Sequence, residues 1–265
     1  MLVIGERINT SRKSILKAVE GRDSRFIREE AARQVKAGAN IIDVNAGTMR
    51  EKEVASMEWL VKVVQEAVDV PLSVDSPDAA VVEAGLRVHR GKAMVNSITA
   101  EKERAGAILP LVKKHGACLV ALTMDEKGMP ETGEERIEIV RDLLDLIKGY
   151  GIPPGEVYFD PLIRPIGTDT KQGLAVLKAI EGIMSLEGGV HTICGLSNIS
   201  FGLPKRKLLN ETFLSLSMSA GLDAVILDPL DKQLMATLQA AEALLNRDEF
   251  CMQYITASRE GRLET

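Results

Sequence analysis

The sequence contains little of what several classes of protein require. Aromatic residues make up 3% of its 265 residues, and it has three cysteines and three histidines. So few aromatic side chains argue against a stacking surface for single-stranded nucleic acid. Cys118, Cys194 and Cys251 are far apart and form no CxxC pair, and no histidine has a carboxylate or cysteine at metal-ligand spacing. We therefore predict neither a disulfide framework nor a metal site.

Positive charge and long apolar runs are also scarce. The net charge is −5, which argues against nonspecific binding to nucleic acid because such binding needs a basic surface. No uninterrupted apolar stretch approaches the ~20 residues of a membrane helix, and the N-terminus lacks the layout of a signal peptide. We expect no membrane segment, and a reducing cytoplasm is the simplest interpretation of the cysteine usage.

What the sequence does have is a regular alternation of short apolar runs with helical segments. Apolar runs separated by helices are typical of buried parallel strands, and eight is the number of strands in a (β/α)8 barrel. We predict a single-domain α/β fold, a TIM barrel over residues 1–265, with residues 247–265 as an extra C-terminal helix or tail. The predicted strands are Leu2–Glu6, Asn40–Asn45, Pro71–Asp75, Lys92–Asn96, Cys118–Thr123, Val157–Asp160, His191–Gly195 and Ala224–Asp228.

Local signals predict where two of the helices begin. Ser76 followed by Pro77 suggests a capping residue and a proline in the first turn. Thr132 and Glu135 have the spacing of a capping box.

Polar residues stand at the ends of several predicted strands, where barrel enzymes place their active sites. Asp75, Asn96 and Asp160 occupy such ends. A carboxylate can accept two parallel N–H bonds from an amino-pyrimidine edge, and an asparagine can both donate and accept. The three together suit a 2-amino-4-oxo-pteridine. The alternative for each residue is that it caps the helix that follows.

Asp43 and Asn45 lie two apart on one strand, so they face the same side and could orient other groups at the barrel end. A buried hydrogen bond to the backbone is an equal alternative. Glu6 and Arg7 close the first strand, where a local ion pair is the simpler interpretation.

The segment after the seventh strand supplies neutral donors beside a glycine. Gly195 lets a ligand approach the backbone closely, and Ser197 and Asn198 can donate hydrogen bonds. Arg206, within a basic cluster, could hold a carboxylate-bearing ligand tail, or could belong to a solvated loop. Met124, after the fifth strand, could pack on a ring face or lie in the core.

Taken in order, these residues resemble a known family. The chain is similar over nearly its whole length to the methyltetrahydrofolate:corrinoid methyltransferases and to the folate module of cobalamin-dependent methionine synthase. The matching segments are Gly5-Glu6-Arg7-Ile8-Asn9, Asp43-Val44-Asn45-Ala46-Gly47, Met57-Glu58-Trp59-Leu60-Val61, Asp75-Ser76, Met94-Val95-Asn96-Ser97, His115-Gly116-Ala117, Leu122-Thr123-Met124, Asp160-Pro161-Leu162, Gly195-Leu196-Ser197-Asn198, Asn210-Glu211-Thr212-Phe213-Leu214 and Leu244-Leu245-Asn246.

The resemblance implies a homodimeric, pterin-binding TIM barrel of anaerobic one-carbon metabolism. It would pass the methyl group of 5-methyltetrahydrofolate to the Co(I) corrinoid of a separate corrinoid protein, or the reverse. Carried over by motif, Asp75, Asn96 and Asp160 would hold the pterin, Asn198 would hydrogen-bond near N5, and Arg206 would lie near the rest of the folate. The other substrate-binding candidates are Glu6, Asp43, Met124, Gly195 and Ser197.

One segment departs from the family pattern. Phe201 stands where the enzymes that serve a corrinoid iron–sulfur protein are expected to have a glutamine. The departure puts a supporting contact to the folate in doubt and makes a different corrinoid partner plausible.

The expected chemistry is displacement at the methyl group with electrophilic help at N5. Asn198 and Asp160 are the catalytic candidates: the Asn198 amide would stabilise charge as N5 becomes protonated, with the proton coming through an Asp-lined network. Two alternatives stay open, a non-catalytic folate-binding module and dihydropteroate synthase. The second would need a pyrophosphate-binding loop, and Asp228-Pro229-Leu230 after the last strand supplies none.

Overall fold

Eight parallel strands form the centre of the protein in a computed structural model that describes residues 1–186 and 188–264. Hydrogen-bonded neighbours follow the order β7-β6-β5-β4-β3-β2-β1-β8. A further parallel bridge pairs Gly195 with Ile226 of β8, so the sheet nearly closes on itself and the predicted TIM barrel is confirmed. The strands are β1 Leu2–Asn9, β2 Ile41–Asn45, β3 Leu72–Asp75, β4 Met94–Ile98, β5 Cys118–Leu122, β6 Val157–Asp160, β7 His191–Thr192 and β8 Ala224–Leu227.

Helices surround the barrel and bury its outer surface. They are α1 Lys13–Glu20, α2 Ser24–Lys36, α3 Glu53–Gln65, α4 Ala79–Val88, α5 Lys102–His115, α6 Gly133–Gly149, α7 Gln172–Met184, α8 Arg206–Ser219, α9 Lys232–Leu244 and α10 Met252–Arg259. Short 3-10 helices span Gly47–Lys52, Pro154–Glu156, Leu196–Ser200 and Glu249–Cys251. The Thr132–Glu135 capping box opens α6 as predicted. None of the helices in the described part of the chain is long and apolar enough to cross a membrane.

Two strands, β1 and β7, differ from their predicted lengths by three residues, more than any of the others. β1 continues past Glu6 to Asn9, because the side chain of Arg7 finds carboxylate partners and Ile8 is completely buried. β7 is shorter than predicted and ends at Thr192. Beyond it the backbone divides its hydrogen bonds between two neighbours: Ile193 N–H donates to β6, and the Cys194 carbonyl accepts from β8 at 2.9 Å each.

The predicted cap at Ser76 is wrong. Asp78 caps α4, and its side chain accepts a hydrogen bond from Ala80 N–H at 2.8 Å. The Ser76 hydroxyl accepts from Asp78 N–H and donates to Glu53 at 2.7 Å. Ser76 is fully buried, so its hydroxyl is satisfied by a loop contact before the helix begins.

Alternation along the strands separates two kinds of core. One set of apolar side chains, which includes Ile4, Met94, Val120 and Ile193, forms a cluster of its own inside the barrel. The strand residues that alternate with this inner set point outward and pack against the helices in two larger clusters. Because side chains alternate, the residues two positions beyond the inner cluster also face the barrel axis, at the carboxyl ends of the strands. We call this end the mouth.

A buried arginine holds the chain where it leaves β6. Arg136 of α6 is completely buried, and its guanidinium donates to the carbonyls of Pro161, Leu162 and Thr132 and to the side chain of Gln172. Its four acceptors are neutral, so hydrogen bonds compensate the loss of water around the charge. This clamp fixes the backbone directly after Asp160, the last residue of β6.

We expect Arg136→Met to lower the free energy of unfolding by about 3 kcal/mol, because three backbone carbonyls and the Gln172 side chain lose their donor. The matched control is Arg141→Met, which removes an exposed arginine from the same helix and should leave the stability unchanged. Urea unfolding followed by circular dichroism measures both. Equal midpoints for the two variants would contradict the clamp.

Candidate functional site

The mouth gathers the polar strand ends that the sequence suggested. Register pairs Asn45 of β2 with Asp75 of β3, and Asp75 with Asn96 of β4. Asp43 lies one layer deeper, opposite Ser73. On the other side of the barrel, β6 ends in Asp160 beside Leu122 of β5. These residues share the inward face of their strands, so carboxylates and carboxamides line one concave end.

Asp43 is the deepest carboxylate, and it is 4% exposed. Its Oδ1 accepts from the Ser73 hydroxyl at 2.7 Å and from Asn96 Nδ2 at 3.3 Å. Burial, and then the nearby Asp75 carboxylate, raise the pKa of Asp43 well above its usual range. The bond from Asn96 fixes the plane of that amide, and its carbonyl oxygen and second N–H then form an adjacent acceptor and donor.

Asp75 is held by a neutral partner. Asn45 Nδ2 donates to Asp75 Oδ2 at 2.8 Å, while Asn45 Oδ1 accepts from Gly47 N–H at 2.9 Å. Burial raises the pKa of Asp75, and the bond from Asn45 and the charge of Arg104 oppose that rise. Arg104 itself donates to the Ser97 carbonyl, just beyond Asn96. Asn45 therefore orients Asp75, as the spacing of Asp43 and Asn45 had suggested.

Asp160 faces the mouth from the opposite side. Its Oδ1 accepts from Leu162 N–H at 2.8 Å, and the Arg136 clamp holds the same turn. Burial raises the pKa of Asp160 to about 7, although the bond from Leu162 and the charge of Arg136 oppose the shift. Because Leu162 N–H holds Oδ1, the orientation of the Asp160 carboxylate is fixed, and Oδ2 remains as an acceptor for a ligand in the mouth.

Glu6 also lies at the mouth, but the local Glu6–Arg7 ion pair is wrong. The Arg7 guanidinium reaches Glu30 of α2 and contacts Asp228 at 2.6 Å, whereas Glu6 lies 3.6 Å from Arg12. The Arg7 guanidinium is committed to these two carboxylates, so it does not form the local pair with Glu6. Burial raises the pKa of Glu6, and the charge of Arg12 opposes this.

The 3-10 helix Leu196–Ser200 carries Asn198, which is exposed. A Cβ built on Gly195 would lie 3.2 Å from Asn198 Nδ2, so the glycine allows the amide to lie close to the backbone. Arg206, the first residue of α8, donates to the Ser197 carbonyl at 2.7 Å and to the Ser200 hydroxyl at 3.1 Å. In this structure the guanidinium therefore supports the segment that presents Asn198.

Met124, the remaining candidate, has a less specific position than the others. Met124 is half-buried in the turn after β5, where its carbonyl accepts from Ala100 N–H at 2.7 Å. His89 ends α4 and accepts from Leu72 N–H at 3.1 Å, so it has a structural role. Within residues 1–186 and 188–264, no three histidine, cysteine or acidic side chains are grouped as metal ligands.

Sequence reasoning missed the two arginines that support the site. The burial of Arg136 could have been predicted, because its spacing from Val140, Leu143 and Ile147 places it on the buried face of α6. A charged residue in phase with an apolar stripe must find buried acceptors. Arg104 has no comparable signal, because it follows Glu101 and Glu103 in a segment that is typical of an exposed first helical turn.

The arrangement of the mouth suits a flat ring that offers several N–H groups. Asp75 and Asp160 present acceptors from opposite sides, and Asn96 presents an acceptor and a donor between them. Neutral donors compensate much of the negative charge, and burial raises the pKa of Asp43. An uncharged heterocycle with hydrogen-bond donors on one edge complements this pattern.

Solved structures of two dihydropteroate synthases have the same barrel fold as this chain. A dihydropteroate synthase from Xanthomonas albilineans has a TM-score of 0.72 at 18% identity, and covers 94% of this chain and 92% of its own. The dihydropteroate synthase FolP from Clostridium difficile has a TM-score of 0.72 at 19% identity, and covers 92% of this chain and 96% of its own. At such identities the likeness shows the fold alone.

Sequence comparison identifies the family. The family model described as "Pterin binding enzyme" matches residues 5–228. The chain is 38% identical over 265 residues to the "Methylcorrinoid:tetrahydrofolate methyltransferase" of Eubacterium limosum, covering 99% of this chain and 98% of that protein. It is 33% identical to the "Methionine synthase" of Mycobacterium tuberculosis over 239 residues, which are 85% of this chain and 20% of that protein. The chain therefore belongs to the pterin binding enzyme family, and to the same family as the methylcorrinoid:tetrahydrofolate methyltransferase.

Proposed function

We propose that the protein transfers a methyl group between N5 of tetrahydrofolate and the cobalt of a corrinoid. The observation that carries the proposal is the set of acceptors at the mouth, Asp75, Asn96 and Asp160, which matches the N–H groups of a reduced pterin. The end-to-end similarity to a methylcorrinoid:tetrahydrofolate methyltransferase supports the same reaction.

In this proposal the mouth binds the pterin through its amino-pyrimidine edge. Asp160 accepts from the ring N–H and the 2-amino group, while Asn96 and Asp75 face the opposite edge. Met124, Gly195 and Ser197 line the site, and Glu6 and Asp43 adjust its charge. Arg206 supports the Asn198 segment and lies on the side where the rest of the folate leaves the mouth.

Catalysis then consists mainly of positioning and of help at N5. In the direction of corrinoid methylation, Co(I) supplies an electron pair to the methyl carbon while the bond between that carbon and N5 breaks. The pair left on N5 takes up a proton from water that reaches the carboxylate-lined mouth. The Asn198 amide stabilises the charge that develops there, and in reverse the same proton is released.

We further propose that the corrinoid is a substrate carried by a separate protein. The two carboxylates and the carboxamide are already committed to recognising a pterin, and the protein's chemistry needs no resident metal. The three cysteines are free thiols, which fits a reducing cytoplasm as the place of action.

The two alternatives have different requirements. Dihydropteroate synthase would need cationic or amide donors for pyrophosphate after β8. There Asp228 is paired with Arg7 at 2.6 Å and lies 3.5 Å from Arg12, so the cations are engaged by a carboxylate. A non-catalytic folate-binding module would keep the acceptors but would not need Asn198.

An anaerobic absorbance experiment tests the proposal. Mixing the protein with 5-methyltetrahydrofolate and cob(I)alamin should remove the Co(I) band and form methylcobalamin. Asn198→Ala should slow the transfer about 100-fold, because a donor to developing charge is lost, while the dissociation constant for folate changes little.

The outcomes separate the candidate functions. Folate binding without transfer to free or protein-bound corrinoid would indicate the binding module. Formation of dihydropteroate would indicate the synthase. Unchanged transfer by Asn198→Ala would remove that residue from the chemical step.

Folate affinity should depend on pH through Asp160. Its carboxylate form accepts the pterin N–H groups, and a pKa of about 7 means that lowering the pH below neutrality protonates it. The dissociation constant should therefore rise as pH falls, approaching a factor of about ten per unit.

In Asp160→Asn the oxygen should stay with Leu162 N–H, which turns the amide N–H groups toward the donors of the pterin. We expect weaker binding by about 100-fold and a flatter pH dependence, measured by fluorescence titration. Asp125→Asn, in the turn after β5, is the matched control. A pH profile that persists in Asp160→Asn would assign the dependence to another group.

We also propose that the protein is a homodimer. Leu244, Phe250 and Met252, at and after the end of α9, are 86%, 82% and 58% exposed, an apolar surface that a second copy would cover. Light scattering should give twice 28.8 kDa, and Phe250→Asn, at a positive φ of 53° that asparagine tolerates, should shift the mass toward the monomer. Met129→Gln, elsewhere on the surface, is the control. A monomeric wild-type protein would contradict the proposal.

A further inference from the structure

Three large apolar side chains are exposed on one side of the mouth. Phe201 and Leu208 are each 66% exposed and Leu174 is 62% exposed. Leu174 lies in the first turn of α7, Leu208 lies in the first turn of α8, and Phe201 follows the segment that carries Asn198. We call these three residues the apolar rim patch. The pterin site uses none of them.

The loops that lead from β6 to α7 and from β7 to α8, and so to the patch residues, pack on each other. Ile166 N–H donates to the Ile199 carbonyl at 3.1 Å, and a Cβ built on Gly167 would meet Leu203 Cδ2 at 3.3 Å. The Phe201 ring lies 5.8 Å from the Arg206 guanidinium, two residues before Leu208. Contacts between the two loops therefore hold the backbone around the patch, while the apolar side chains of the patch face solvent.

Charge around the mouth is unevenly distributed. Beside the patch stand Arg164, Lys171 and Lys205, for which the described residues provide no salt bridge within 4 Å. These three cations outnumber the carboxylate of Asp169, which accepts from Lys171 N–H and from the Gln172 side chain in the same loop. The neighbouring rim, after β4 and β5, is mainly acidic, and its acidic residues include Glu101, Glu103, Asp125 and Glu126. A basic border around an apolar centre complements a partner face with an apolar centre and an acidic border.

We propose that the apolar rim patch and its basic border form the docking surface for the corrinoid protein, whose matching face is apolar with acidic surroundings. This inference rests on the proposed function. Cobalt must approach N5 at the mouth, so the protein that carries it has to cover part of the rim. The patch borders Asn198 directly, because Phe201 N–H donates to the Asn198 carbonyl at 3.1 Å.

Steady-state methyl transfer tests the docking surface with two acceptors, free cob(I)alamin and a purified corrinoid protein that the wild-type chain methylates. Leu174→Gln and Leu208→Gln should each lower kcat/KM for the corrinoid protein about tenfold and leave the rate with free cobalamin unchanged. The matched control is Leu216→Gln, which changes a leucine that is 50% exposed farther along α8 and should alter neither rate.

The charged border is tested separately. Lys171→Glu should lower kcat/KM for the corrinoid protein and weaken its dependence on salt, while Lys127→Glu on the acidic rim should not.

Wild-type rates for the leucine variants with the corrinoid protein would overturn the docking surface. Equal losses with free and protein-bound corrinoid would also overturn it, because they would place the leucines in the pterin site. A wild-type protein that transfers no methyl group at all would contradict the proposed function instead.

Discussion

The cost of removing carboxylates from water shapes the mouth of this barrel. Asp43, Asp75 and Asp160 stand where eight strands converge, and each would be unstable there as an isolated buried charge. Neutral donors offset this cost: the side chains of Ser73 and Asn96 donate to Asp43, the Asn45 amide donates to Asp75, and Leu162 N–H donates to Asp160. The acceptor atoms left over have fixed directions, so the site is organised before any ligand arrives.

The support for these directions comes from outside the barrel. Arg136 holds the turn after β6 from α6, and Arg206 holds the segment after β7 from α8. The outer helices therefore do more than cover apolar surface, because they decide where Asp160 and Asn198 point. The same segments continue into the rim, so the pterin site and the surface offered to a partner are built on one backbone.

Much of this could be predicted from the sequence, because strand ends and helix stripes are local patterns. All eight strands, the α6 capping box and the inward position of Asp43 and Asn45 follow from alternation and spacing. The cap at Asp78 was missed because Ser76 offers an equally good local signal, and only tertiary contact with Glu53 decides between them. Apart from Thr132, the partners of Arg7 and Arg136 lie between 23 and 221 residues away, a relation that local patterns do not contain.

A crystal structure of the protein with 5-methyltetrahydrofolate tests the central claim most directly. The account predicts the amino-pyrimidine edge of the pterin against Asp160, its other edge between Asn96 and Asp75, and N5 facing Asn198. A pterin bound elsewhere, or one that turns its amino-pyrimidine edge away from both carboxylates, would contradict the account.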